Sequence, residues 1–113
     1  MLSLAGDRRI FLYLPPTDMR KSFHGLAGLV YQHLGRPTDG SHYVFVNRAR
    51  THAKVLYWDG DGLAIWYKRL EKGRFAVPRL DGPRAELSRR DLAILLEGVV
   101  PLRKLPRFRL KET

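Results

Sequence analysis

The stretch LYWDGDGLAIWYKR, Leu56 to Arg69, sets two Asp-Gly pairs between aromatic and aliphatic runs, a pattern that narrows the local fold to a β-hairpin. Gly60-Asp61 suits a two-residue turn with glycine first, while Asp59-Gly60 or Asp61-Gly62 suits the turn that needs positive φ at both central positions. A two-residue loop pairs even-numbered residues of the incoming strand with odd-numbered residues of the outgoing one. Leu56 and Trp58 then share a face with Leu63, Ile65 and Tyr67, the candidate core. Val55, Tyr57, Ala64, Trp66 and Lys68 make the other face, and a three-residue loop with a bulge would exchange the two sets. Tyr57 and Trp66 are on that account candidates for stacking on exposed bases, or for burial beneath a helix.

The same repeat offers paired carboxylates, Asp59 and Asp61, which could hold Mg²⁺ for phosphoryl chemistry or act as acid and base in a small nuclease. A calcium-binding EF-hand loop is excluded, because Gly60 and Gly62 carry no side-chain oxygen and position 65 is Ile. A two-metal site would need further acids from other elements, and the pattern nominates none of Asp18, Asp39 or Glu71. The hairpin explains more of these residues than catalysis does, so no catalytic residue, metal ligand or cofactor is assigned.

Along the rest of the chain, Ile10 to Leu14 reads as a first strand stopped by Pro15-Pro16. Thr17 and Asp18 offer N-cap oxygens, and Phe23, Leu26, Ala27, Val30 and Leu34 recur at helical spacing up to Gly35, which predicts a helix over 18–34. After the turn chemistry of residues 35–41, Tyr43–Val46, Val55–Trp58 and Leu63–Lys68 read as an antiparallel meander. Residues 71–74 form a further turn, Phe75–Val77 a short edge strand ended by Pro78, and the segment to Ser88 a loop. Ser88 caps a second helix, with Asp91 in the acidic position of a capping-box arrangement and Leu92, Leu95 and Leu96 as its apolar stripe up to Gly98. The expected fold is a single α+β domain over residues 1–98, an antiparallel sheet of about four or five strands with two helices on one face. Residues 99–113 follow as a basic tail.

Charge points to the partner. The chain carries 21 Lys and Arg against 11 Asp and Glu, a net +10, and residues 41–80 hold eight of those cations against three acids. Such an excess concentrates polyanions and favours phosphate contact through counterion release, against the alternatives of a solvated surface or an acidic protein partner. The candidate phosphate contacts are Arg20 and Lys21 at the start of the first helix, Arg48, Arg50 and Lys54 at one end of the meander, and Lys68, Arg69, Lys72 and Arg74 at its far end. Arg103, Lys104, Arg107, Arg109 and Lys111 add five cations in the tail. With no cysteine there is no thiol chemistry, and without an apolar run of about 18 residues there is no membrane span, which makes a soluble cytoplasmic protein the expectation.

Taken together, PTDMRKSFHGLAGLV (Pro16 to Val30), VFVNRAR (Val44 to Arg50), LYWDGDGLAIWYKRLEKGRF (Leu56 to Phe75) and LAILLEG (Leu92 to Gly98) resemble the TnpB-type accessory protein, the second-reading-frame or Orf2-like product, of the insertion-sequence-66 family of bacterial transposable elements. The resemblance covers about residues 9–98. It implies a non-catalytic part in DNA transposition, with DNA and the element's larger transposase as partners, and it supplies no catalytic role for Asp59 or Asp61. The alternative within that context is a protein–protein adaptor of the transposase with no nucleic-acid affinity of its own.

Overall fold

The computed structural model describes residues 8–98. Its elements run β1 (Ile10–Tyr13), α1 (Phe23–His33), β2 (His42–Val46), β3 (His52–Trp58), β4 (Leu63–Arg69), β5 (Arg84–Leu87) and α2 (Arg89–Glu97). The five strands form one mixed sheet in the order β4-β3-β2-β1-β5. The fold is the expected α+β domain, with three departures in its arrangement.

First, β1 and β2 pair in parallel, with Ile10 opposite His42 and Leu12 opposite Val44; the remaining pairings are antiparallel. The cause is α1: a helix between neighbouring strands carries the chain back along the sheet, so the second strand starts where the first did. Second, the helices lie on opposite faces. Leu26, Val30 and Leu34 of the α1 segment pack with Phe11, Tyr43, Phe45 and Leu56. Leu92 and Leu95 of α2 pack with Ile10, Leu12, Val44, Val46, Val55 and Leu87. The central strands demand this, since Ile10 to Leu12 and all of β2 are buried without alternation, and strands apolar on both sides need cover on both.

Third, Phe75–Val77 is not a strand, and β5 lies inside the segment expected to be loop. Phe75, 1% exposed, is an anchor in the α2-side core, and its N–H donates to the Arg50 carbonyl at 2.7 Å. Beyond it the chain crosses the sheet end to β5, which pairs antiparallel with β1. Glu86 of β5 is buried because Arg9 meets it in a 2.7 Å ion pair. That partner is remote in sequence, and no local pattern announces it.

Of the two registers the Asp-Gly repeat leaves open, the hairpin takes that of the two-residue turn: Leu56 faces Ile65 and Trp58 faces Leu63. Gly60 takes φ 86°, and the Asp59 N–H donates to the Gly62 carbonyl at 2.8 Å, which places Gly60-Asp61 at the tip. α2 begins as predicted, with Asp91 N–H donating to Ser88 Oγ at 3.0 Å and Ser88 N–H donating to Asp91 Oδ2 at 3.2 Å. Ser88→Ala is expected to cost about 1 kcal/mol in urea unfolding, because one N–H at the helix start loses its acceptor.

α1 starts later than 18. Asp18 spends its carboxylate on the N–H and guanidinium of Arg20, and Ser22, the residue before the helix, makes no side-chain cap bond. The segment 18–22 is instead held by Lys54, whose Nζ donates to the carbonyls of Met19 (2.8 Å) and Lys21 (2.7 Å).

Candidate nucleic-acid interface

The two basic groups of the meander share one end. Two antiparallel reversals return the chain to the side it started from, so the β2–β3 turn lies beside the exit of β4: His52 pairs with Arg69, and Leu70 N–H donates to the Thr51 carbonyl at 2.9 Å. The far-end placement of Lys68, Arg69, Lys72 and Arg74 is therefore corrected. The Asp-Gly tip occupies the opposite end, which separates Asp59 and Asp61 from these cations.

Asn47 builds the β2–β3 turn. Its Oδ1 accepts the N–H groups of Thr51 (2.9 Å) and His52 (3.0 Å), and its Nδ2 lies 3.2 Å from Thr51 Oγ1. Arg50 N–H donates to the Asn47 carbonyl at 3.0 Å, and Arg50 itself adopts φ 60°. Positive φ is costly for a side chain larger than glycine. Arg48 projects into solvent beside it.

Residues 70–83, between β4 and β5, cross the same end. Connections of this length without secondary structure are uncommon in small domains and often carry function. This one brings Lys72, Arg74 and Arg79, all exposed, towards the β2–β3 turn. Arg79 joins Arg48 and Arg50 along a groove of about 600 Å³. Its place was hidden in the sequence because the end of the sheet that 75–83 crosses depends on β5, whose partner is β1. A signal did exist, in the Pro78-Arg79-Leu80 sequence of a long linker following a basic strand end.

Among the nine cations read from the sequence, the structure separates exposed groups from those spent internally. Lys54 is buried, with its ammonium on two carbonyls and 4.8 Å from the Tyr67 ring centre. Lys68 is half-buried and donates to the Leu96 carbonyl at 3.0 Å, a favourable place for a cation at the end of a helix. Arg20 pairs with Asp18 at 2.6 Å. Arg69 makes a loose 3.6 Å contact with Glu71, both strongly exposed, and such pairs exchange readily for other anions. Lys21, Arg48, Lys72 and Arg74 are exposed and Arg50 is half-exposed. Tyr57 and Trp66 are half-buried against the α2-side core, and Tyr57 stacks on His42 at 5.1 Å. Of the nine cations, Arg48, Arg50, Arg69, Lys72 and Arg74 are the exposed or half-exposed ones at this end of the sheet, while Arg20 and Lys21 are exposed on the approach to α1.

The guanidinium of Arg20 and its backbone N–H together hold the Asp18 carboxyl down at about 2. A depressed folded-state value stabilises above the unfolded value and is lost as pH falls through the folded one. Wild type is therefore expected to lose stability from about pH 4 to about pH 2 that Asp18→Asn does not lose, read by thermal unfolding at stepped pH. The difference should shrink at high salt, because the pair is exposed.

Among the described residues, no three His, Cys, Asp or Glu side chains group as a metal site, and no helix is long and apolar enough to cross a membrane. The Arg103 to Lys111 cations lie outside the described residues.

A family model described as "IS66 Orf2 like protein" matches residues 8–105. Two curated proteins of Sinorhizobium fredii (strain NBRC 101917 / NGR234) are similar over 100 residues each. "Uncharacterized protein y4hO" is 36% identical, with 88% of this chain and 87% of the relative covered. "Uncharacterized protein y4jC" is 30% identical, with 88% and 86% covered. No solved structure matches the chain.

Proposed function

The chain belongs to the IS66 Orf2-like family, and from that premise we propose that it is a non-catalytic accessory factor of DNA transposition, binding DNA through the basic end of its sheet. The observation that carries the reading is the convergence of Arg48, Arg50, Arg69, Lys72, Arg74 and Arg79 from three chain segments on that end. Exposed cations on adjacent loops suit phosphate oxygens, fix the position of a duplex, and carry no base specificity by themselves. Lys54 and Lys68 belong to the scaffold in this reading, and Arg20 and Lys21 lie outside its centre. The protein works in the cytoplasm beside the element's transposase, which supplies the strand chemistry.

A second reading, an adaptor for the transposase without nucleic-acid affinity, draws on the outer face of α1. Phe23 and Tyr31 stand there 46% and 67% exposed, and exposed aromatic side chains favour protein contacts. The two readings separate in a salt series with the full chain and labelled element-end duplex, unrelated duplex and RNA. DNA contact gives binding at low salt that weakens steeply as salt rises, with a log–log slope of about −0.9 per phosphate neutralised. Absence of binding at about 50 mM salt defeats the DNA reading, and capture of the transposase by the same preparation would then establish the adaptor.

A further inference from the structure

The groove at the carboxyl ends of β1 and β2 has a chemistry that duplex contact alone does not use. It lies where the parallel pair opens, between the exit towards α1 and the β2–β3 turn, a position where open sheets with parallel strands commonly bind ligands. Its volume of about 600 Å³ falls inside the roughly 300–1,000 Å³ typical of small-ligand sites. Three arginines line it, Arg48, Arg50 and Arg79, and none of their side chains makes an ion pair or hydrogen bond among the described residues. Like charges along one concavity repel, and an anion within it relieves that repulsion.

The remaining wall is apolar. Val77, Pro78 and Leu80 line the same groove, and Leu80 is 47% exposed. A smaller depression adjoins it across Pro16, Asn47 and Arg48. Thr17, 4% exposed, lines that depression, and its Oγ1 has no hydrogen-bond partner among the described residues. The turn also keeps Arg50 at φ 60°, where glycine would sit at lower cost. Strain of this kind at a groove rim points to a use for the side chain.

Resting on the reading that the basic end meets nucleic acid, we propose that this groove takes an unpaired stretch of nucleic acid, with its phosphates on Arg48, Arg50 and Arg79 and a base against Pro78 and Leu80. Duplex phosphates need only the cations, whereas a splayed nucleotide presents both an anion and an apolar face. Arginine suits both demands, because its planar guanidinium forks onto phosphate and stacks on bases. Asp81, also on the wall, disfavours a continuous polyanion at that point and can accept from a base amino group.

The test uses the full chain and fluorescence anisotropy with a labelled strand of about twelve nucleotides and its duplex, at about 50 mM salt. The single strand should bind about fivefold or more tighter than the duplex, and Leu80→Ala should remove most of that advantage while leaving duplex affinity unchanged. Arg50→Gly should keep or raise the melting temperature and weaken both ligands. Equal affinity for strand and duplex, or a Leu80→Ala variant that leaves the preference intact, overturns the groove proposal without touching the duplex reading. Failure of both ligands to bind overturns the underlying reading as well. Tighter binding of an acidic, leucine-containing peptide than of either oligonucleotide would reassign the groove to a protein ligand.

Discussion

Changing Arg48 and Arg50 together to glutamate is expected to lower affinity for duplex DNA on the order of a hundredfold near 50 mM salt, with the salt slope shallower by about 1.8. The slope change is two phosphate contacts at about 0.9 each, and the further loss comes from placing two carboxylates against the phosphate backbone. Arg48 is exposed and Arg50 half-exposed, and the turn itself is held by Asn47. The double variant should therefore unfold within about 1 kcal/mol of wild type in urea. Arg50 contributes a small gain or loss there, because glutamate inherits its positive φ. As a control, Asp61→Asn at the opposite end should leave stability within about 0.5 kcal/mol and DNA affinity unchanged. Mg²⁺-dependent cleavage present in wild type and lost in folded Asp61→Asn would instead establish the nuclease.

Lys54→Ala should behave in the reverse way, losing about 3 kcal/mol of stability while the folded protein keeps its salt slope. Two hydrogen bonds from a charged donor contribute roughly 1.5–3 kcal/mol each, offset in part by the cost of burying the ammonium. Their removal strands the Met19 and Lys21 carbonyls and uncovers the Tyr67 ring. The segment 18–22, which leads from β1 into α1, then loses its tether to β3. Lys54→Met keeps the aliphatic stem and should fall between wild type and alanine. A large drop in DNA affinity with stability preserved would place Lys54 among the contacts and contradict its buried position. Urea unfolding and anisotropy on the same preparations separate the outcomes.

The two variants divide a set of cations that looks uniform in the sequence. Local chemistry was legible wherever neighbours in sequence are neighbours in space. The Asp-Gly pairs marked the hairpin tip, Ser88 and Asp91 announced their capping box, and Leu26, Val30 and Leu34 marked the buried stripe of α1. What stayed hidden depends on remote pairing. Glu86 is buried where Arg9, remote in sequence, reaches it, and β5 was illegible for that reason. Lys54 and Lys68 differ from Arg48 only in what covers them, a carbonyl pair from the α1 approach and the last turn of α2. The continuous apolar runs of β1 and of Tyr43 to Val46 in β2 did contain the need for cover on both faces, which placed the helices apart.

The candidate site shows the same division. All of its cations but Arg79 were read from the sequence, but their convergence was not. Convergence follows from two reversals in the meander and from a linker that must travel from the β4 edge to β5 on the far side of β1. That route draws Arg79 beside Arg48 and Arg50 and converts scattered charge into one face. The repeat of Asp59 and Asp61, so prominent in the sequence, shapes the sheet from the other end.

The most direct measurement is a titration of the isotopically labelled full chain with short duplex DNA, followed by amide chemical-shift changes residue by residue. Within residues 8–98 the largest changes should fall on 47–51 and 69–81, with the Asp-Gly tip at 59–62 and the outer face of α1 near Phe23 and Tyr31 unmoved. Changes centred on the tip or on α1, with 47–51 and 69–81 silent, would contradict the assignment of the basic sheet end as the DNA-binding face.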